Sequence, residues 1–467
     1  METMKTSAVP NPSVQQSLPD LPIAYERFLD CVHCGLCTAA CPTYIETGDE
    51  NNSPRGRIYL MRAVVDGRVT LTDRVREHLD LCLDCRSCET ACPSGVQYGR
   101  LLEPFRVAMH EGALAASIAS SQLGAPADRN ESWFERWILN HLFPYPRRLA
   151  RALLPMRILQ RLGWDRWLPR VPGWKLLPEP LRRMHGLLPR LTPPLPALPE
   201  YLPAQGKRRA TVVLFKGCVA DVLYRHVHWA TARVLQANGC DVLVPREQGC
   251  CGAIQYHHGA GASALNFLRK NVQALAKYDY DALIVNVAGC GSILKDYAHV
   301  AAELRLSPQE LQLFERFADR VQDISEFLDR LGPRPPRGSI PYKVVYHDAC
   351  HLVHAQRLRE PPRRLLAFVP GLQIMPLAES EICCGAAGSY NLTHPDMADR
   401  LGRRKVQQIL ATGAQAVLSP NAGCSLHLGA LLRQHADTLP IWHPVEVLDW
   451  SYREILPPRL SAAASRE

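Results

Sequence analysis

Cys31-Val-His-Cys-Gly-Leu-Cys-Thr-Ala-Ala-Cys-Pro42 and Cys82-Leu-Asp-Cys-Arg-Ser-Cys-Glu-Thr-Ala-Cys-Pro93 are two copies of one pattern, C-x2-C-x2-C-x3-C-P. A [4Fe–4S] cube needs four soft thiolates, one per iron. Two-residue gaps let three sulfurs of one tight loop face three irons, while the loop amides reach the cluster sulfurs. The fourth cysteine, followed by proline, points away and in two-cluster proteins serves the other cluster. The spacing therefore assigns Cys31, Cys34, Cys37 and Cys92 to one cluster, and Cys82, Cys85, Cys88 and Cys41 to a second. Zinc, the competing reading, usually takes paired cysteines at separated positions. Crossed ligation would tie both runs into one rigid unit and hold the clusters near each other, as a one-electron relay requires.

Between the runs, Pro54-Arg-Gly-Arg-Ile-Tyr-Leu-Met61 and Val75-Arg-Glu-His-Leu-Asp-Leu-Cys82 read as helices. Arg55 and Arg57 either offset the negative charge of a thiolate-ligated cluster or decorate a solvated helix start. His33 lies inside a run whose ligand count is already complete, so it reads as a structural or potential-tuning residue.

The remaining composition narrows the class. The chain has 467 residues, 47% hydrophobic and 21% charged, which excludes wholesale disorder, collagen and coiled coil. No run of 18 apolar residues predicts a membrane span, and the N-terminus lacks a basic-then-apolar signal pattern. The expected compartment is the cytoplasm, where 17 cysteines favour metal binding over disulfides. The net charge is +9, and the stretch from Trp133 to Arg190 carries all of it, with 12 cations against three acids. The rest is near neutral, which speaks against a general nucleic-acid-binding surface.

Eight further cysteines fall in two sets. Cys218 maps to Cys350, Cys250-Cys251-Gly252 to Cys383-Cys384-Gly385, and Cys290 to Cys424, at offsets of 132, 133 and 134 residues. Each copy reads strand, Cys, helix, strand, Cys-Cys-Gly, helix, strand, Cys. Thr211–Phe215, Lys343–Tyr346, Ala282–Val287 and Ala416–Leu418 fit buried parallel strands. The pattern predicts two duplicated α/β units. The glycine is expected to let backbone pass close to a bulky cofactor. Cys240, left over in an apolar strand-like segment, reads as a small buried residue.

The expected layout is an α/β multidomain chain. It comprises a loose arm (1–23), an α-helical two-cluster ferredoxin-like domain (24–110), a basic connector (111–206) and two α/β units (207–333 and 340–460). In the connector, Trp133, Trp137, Trp164, Trp167 and Trp174 alternate with Arg136, Arg147, Arg148, Arg151, Arg157, Arg161, Arg166 and Arg170. Three readings stand: aromatics packed on the flanking domains, a partner-docking surface, or interfacial membrane binding. No dinucleotide fingerprint, Walker loop or G-x-S-x-G elbow occurs. The chain therefore reads as an electron carrier, with substrate oxidation on a flavin held by a partner.

The C-terminal sets resemble the cysteine-rich CCG repeats of heterodisulfide reductase-type subunits. The fifth cysteine of that pattern is replaced by Ile293 and His427. Four-thiolate sites in both repeats, or a cluster in one and none in the other, remain open, as does a purely structural role. His347, His351 and His354 flank Cys350, and histidine replaces cysteine in some clusters. A buried hydrogen-bonded histidine is nevertheless commoner than a ligand histidine.

Cys31–Tyr44, Gly48–Glu50, Pro54–Leu60, Glu77–Asp80 and Cys82–Gly95 closely resemble the iron–sulfur subunit of bacterial glycolate oxidase (glycolate dehydrogenase). The likeness returns at Gly249–Ala253, Gly289–Gly291, Cys383–Gly385 and Leu392–Asp396. It leaves out the basic middle. The resemblance implies two [4Fe–4S] clusters, no flavin on this chain, and a complex with an FAD-containing glycolate-oxidising subunit and a second FAD-domain subunit. Electrons from glycolate oxidation would cross to a quinone or other membrane acceptor, at the cytoplasmic face of the inner membrane or in the cytoplasm. The corresponding subunits for lactate or glycerol 3-phosphate share the layout. A zinc-containing assembly scaffold is the alternative of another class.

Overall fold

The computed structural model describes residues 23–110, 137–191, 195–435 and 439–458. The expected arm, apart from Ile23, and the first part of the connector, with Trp133 and Arg136, lie outside the described residues.

The N-terminal region is built from helices, and no strand occurs among its described residues. Ser53 caps Pro54–Val65 by accepting from the Gly56 amide, and Thr72 caps Asp73–Asp80 by accepting from Val75. Their apolar faces bury Ile58, Met61 and Leu79 against Leu101, Leu102 and Phe105 of helix Gly99–His110. The cysteine runs are the loops that lead into and out of these short helices.

Two sheets follow. The first contains β1 (Tyr201–Leu202), β2 (Ala210–Leu214), β3 (Cys240–Leu243), β4 (Ala282–Val285) and β5 (Val321–Asp323), in the order β1-β3-β2-β4-β5. The second contains β6 (Lys343–Tyr346), β7 (Gln373–Met375), β8 (Ala416–Leu418) and β9 (Ile441–Trp442), in the order β7-β6-β8-β9. All neighbours are parallel except β1, which runs antiparallel to β3. Without β1, the two orders are the same permutation, so the repeat read in the cysteines is also a repeat of topology. Val212 sits opposite Val242 and Ala282, all fully buried, as expected of strands covered on both faces.

The units share one core. Helices Arg225–Ala237 and Pro444–Tyr452 pack between the sheets, joined by Arg233, which donates to both Asp449 oxygens at 2.8 and 2.6 Å. The helical domain docks across both units. Arg86 and Arg100 reach Asp296 of the first at 2.9 and 2.7 Å. Tyr390 of the second donates to the Leu81 carbonyl at 2.9 Å.

The connector wraps this assembly. Leu149 and Leu153 pack on Val222, and Arg183 pairs with Asp399 at 2.6 Å. Its other face is uncovered: Leu154, Ile158 and Leu162 form an i, i+4, i+8 stripe beside Trp164, Trp167 and Leu176, all exposed. One face thus packs on the protein, while the other is amphipathic and open. Among the described residues, no helix is long and apolar enough to cross a membrane.

Candidate metal centres

In open parallel sheets, ligands bind beyond the carboxyl ends of the strands, where the strand order reverses. Each cysteine set occupies that place. Cys218 follows β2, Cys250 and Cys251 follow β3, and Cys290 opens the helix after β4. Cys350, Cys383–Cys384 and Cys424 repeat this after β6, β7 and β8. The two reversal points face each other: Ala288 N donates to Pro420 O at 3.1 Å and Gly289 N to Asn421 Oδ1 at 3.1 Å. Between them lies a cavity of about 270 Å³, walled by both sets, by Cys82, and by apolar connector side chains including Leu149 and Leu187.

Within each set the sulfurs converge. Cys251 and Cys290 Sγ lie 3.3 Å apart, and Cys350 and Cys383 Sγ 3.9 Å apart. Asn421 Nδ2 donates to Cys424 Sγ at 3.2 Å. Thiols from Cys250 and Cys290 hold Cys251 well below the usual thiol range, and those of Cys383 and Cys424 do the same for Cys384. Their donors Cys290 and Cys424 are pushed up in return. Each set is a buried thiol–thiolate network, the donor chemistry that a soft metal displaces protons from.

The glycine after each cysteine pair has a reason in the backbone. Gly252 and Gly385 have φ of +79° and +88°. A Cβ on Gly385 would lie 2.6 Å from the Ala398 carbonyl oxygen, and one on Gly252 would lie 2.9 Å from Leu268 Cδ1. The close approach is to helices Gly261–Leu275 and Pro395–Ala411, so the glycine sets the direction of the cysteine loop.

In the helical domain the two runs lie together. Burial pushes the Cys31 and Cys37 thiols up, with Cys92 and Cys41 respectively among the neighbouring sulfurs that add to it. Burial likewise raises Cys85 and Cys88, with Cys82 and Cys41 beside both. Cys34 is exposed, whereas Cys41, Cys85 and Cys88 are buried.

The two arginines separate. Arg55 is half-exposed, pairs with Glu50 at 2.6 Å and braces the first loop by donating to His33 O at 3.1 Å. His33 holds a left-handed φ of +53° in that loop, which suits a structural role. Arg57 is 0% exposed. It donates to His78 O at 2.7 Å and Thr43 Oγ1 at 3.0 Å, its Nη1 lies 3.9 Å from Cys41 Sγ, and its Nη2 has no partner. Among the described residues no carboxylate pairs with it. A buried, unpaired guanidinium is costly, and an anionic thiolate-ligated cluster is the counter-charge this position fits.

A further charged group was not visible in the sequence. His257 Nδ1 sits 3.0 Å from Asp84 Oδ2 and 2.9 Å from Glu103 Oε1. Burial opposes the imidazolium, but the two carboxylates outweigh it and raise its pKa to about 10. Arg86 closes the group at 2.8 Å from Glu103. No spacing signal joins residues this distant. Cys240 is a buried strand residue, as read.

Residues 27–96 match the family model of the 4Fe-4S dicluster domain, and residues 212–295 and 344–429 match that of the cysteine-rich domain. Residues 130–188 match the linker region of the glycolate oxidase iron–sulfur subunit, in the stretch where the sequence reading recognised no likeness. The chain is 34% identical to the probable glycolate oxidase iron–sulfur subunit of Bacillus subtilis, over 86% of this chain and 88% of that one. It is 33% identical to the glycolate oxidase iron–sulfur subunit of Escherichia coli, over 90% and 93%. Lactate utilization protein A of Shouchella clausii is 29% identical over 51% of this chain and 98% of its own length. With cysteines arranged as iron–sulfur donors in both halves, and with relatives that align along nearly its whole length, the chain belongs to the glycolate oxidase iron–sulfur subunit family.

Proposed function

We propose that this chain is the electron-transfer subunit of a glycolate-oxidising complex. Two FAD-containing partner subunits carry the substrate chemistry, in which glycolate becomes glyoxylate, and a quinone or other membrane carrier takes the electrons. Cys31, Cys34, Cys37 and Cys92 hold one [4Fe–4S] cluster, and Cys82, Cys85, Cys88 and Cys41 hold the other. Each cluster supplies one-electron transfer. The repeat cysteines Cys218, Cys250, Cys251 and Cys290, and Cys350, Cys383, Cys384 and Cys424, provide two further metal sites. The reading divides the chain into the helical cluster domain, the connector and the two repeats, at the boundaries given above.

The observation that carries this reading is a continuous run of sulfur from surface to interior. Cys34 opens to solvent. At the other end, Cys85 shares one buried apolar cluster with Cys350 and Cys383 of the second unit. The first run is therefore open to a partner, and the second run abuts the inner sets. Glycolate is favoured over lactate because the glycolate relatives align along nine-tenths of the chain, linker included, whereas the lactate relative aligns with half. The uncovered Leu, Trp and Arg face of the connector fits peripheral attachment to a membrane that supplies the acceptor.

Cys34→Ser in the purified complex tests the relay. The first cluster is lost or converted, quinone-linked turnover falls at least tenfold, and dye-linked turnover on the flavoprotein persists. Full quinone-linked activity with the first cluster absent would overturn the reading.

A further inference from the structure

The two cysteine units are copies, but their surroundings differ in histidine content, and one of the differences falls beside the first cysteine. The residue that follows the first inner strand, three before the first cysteine, is Phe215 in one unit and His347 in the other. Both are buried, at 2% and 1% exposure. Phenylalanine offers no donor. His347 offers two ring nitrogens; neither meets hydrogen-bond geometry, and the polar group the ring acts on is the Cys384 thiol, which it helps to hold down. A buried polar group left unpaired is rare and calls for an explanation.

The explanation lies within reach. A His347 ring nitrogen, Cys384 Sγ and Cys424 Sγ all lie within 4.8 Å of one another. The backbone holds His347 at that place, because His347 N donates to Leu418 O at 2.9 Å across the β6–β8 pair. The neighbouring histidines are differently employed. His354 uses Nδ1 on Thr90 Oγ1 at 2.9 Å and Nε2 on Glu381 O at 3.2 Å. His351 Nδ1 faces Cys350 Sγ at 3.5 Å, and His427 Nε2 faces the Ala398 carbonyl at 3.0 Å, so each has one ring nitrogen engaged and one unpartnered, whereas His347 has both unpartnered.

We propose that His347 is a metal ligand of the second unit, joining Cys350, Cys383, Cys384 and Cys424 in a mixed nitrogen–sulfur donor set for an iron–sulfur group. The first unit, with Phe215 in the matching place, cannot build that set. The proposal rests on the reading that the repeats hold metal, and it makes the two repeat sites chemically unequal. A neutral imidazole in a thiolate set raises the reduction potential of the group it binds, so the second unit becomes the stronger electron acceptor of the pair.

The test uses the full chain, prepared anaerobically with natural or ¹⁵N-labelled histidine, and titrated through its redox states. Iron per chain and pulsed EPR nitrogen couplings are the readouts. The expected result is iron beyond the roughly eight atoms of two cubanes, with a histidine nitrogen coupling that changes on ¹⁵N labelling. His347→Phe, which installs the residue the first unit already accommodates, is expected to abolish that coupling. It should also lower the potential of the site or release its iron, while the N-terminal cluster signals remain. His347→Cys is expected to retain iron without the coupling. Iron no higher than two cubanes would overturn the underlying reading and this proposal together. Extra iron without a histidine coupling, or a coupling that survives in His347→Phe, would overturn this proposal alone.

Discussion

Arg57→Met removes a fully buried cation without a carboxylate partner among the described residues, beside the second N-terminal cluster site, and its effect can be worked from the geometry. Arg57 Nη1 stands 3.9 Å from Cys41 Sγ. A unit charge on that sulfur, at an effective dielectric of about 20, interacts with the guanidinium by about 4 kcal/mol. The electron added on reduction spreads over the cluster, so its mean distance is about twice as long and the interaction about 2 kcal/mol. For a one-electron couple, that is a potential change of about 90 mV. The sign is fixed: the cation stabilises the more negative, reduced state, so its removal lowers the midpoint potential. Arg57→Lys keeps the charge and is expected to stay within about 30 mV of the parent protein, although lysine cannot reproduce the fork onto Thr43 and His78. The assay is an EPR-monitored potentiometric titration of the full chain. An intact cluster in Arg57→Met whose potential moves by less than about 20 mV, or moves upward, would refute the counter-charge assignment.

Three further outcomes are expected. Gly385→Ala places a Cβ 2.6 Å from a backbone oxygen at φ +88° and should cost about 2–4 kcal/mol in denaturant unfolding. Gly413→Ala, at φ +63° with nothing within 4 Å, should cost only about 1 kcal/mol. His257 has a folded pKa of about 10, raised above its unfolded value, so its contribution is complete below about pH 6.5 and is lost as pH rises toward 10. His257→Gln should flatten the stability–pH curve in that window, and an unchanged curve would dissociate His257 from the pair with Asp84 and Glu103. Ile158→Ser with Trp164→Ser and Trp167→Ser should reduce flotation of the complex with anionic vesicles at least tenfold. Unchanged flotation would remove the connector from the membrane contact.

What was legible in the sequence was whatever depends on local spacing. Four cysteines within eleven residues announce a loop that presents sulfurs, and strands that each lead into a cysteine announce a duplicated α/β unit. The readings that stayed open turned on packing between distant segments. Arg55 and Arg57 occupy the same helical turn, and nothing in the sequence ranks them. The difference arises because Arg57 faces the carbonyl of His78, 21 residues on, while Arg55 faces Glu50 and solvent. The connector's Trp and Arg content fits packing or docking equally well in one dimension. In space, Leu149 and Leu153 make the inward packing, while Trp137, Trp164 and Trp167 stand exposed with Leu154, Ile158 and Leu162, so the packing expected of these aromatics is made by leucines. Strand β1 was missed because two residues carry no periodic signal, and its place comes from pairing with Val242 and Leu243. The helices that press on Gly252 and Gly385 are contacts the spacing does not reveal.

Duplication alone would leave two equivalent inner sites, and the docking of the helical domain breaks that equivalence. Toward the first unit it presents charge: Arg86 and Arg100 meet Asp296, and Asp84 and Glu103 hold His257. Toward the second it presents sulfur and apolar side chains, with Leu83 and Cys85 packed among Cys350, Cys383, Tyr390 and Met397, while its ion pairs there, Glu46 with Arg400 and Arg404, lie at the more exposed rim. Ion pairs fix the orientation of the domain, since buried charges tolerate few alternative registers. The apolar contact lowers the local dielectric between neighbouring sulfurs. On the proposed ligation, the second N-terminal cluster therefore faces one repeat preferentially. That repeat is also the one carrying His347, so the position and the donor set of the second unit both favour it as the next stop for an electron. The first unit keeps the same fold with Phe215 in place of the imidazole, which suits a site that stabilises the assembly and lies off the main path.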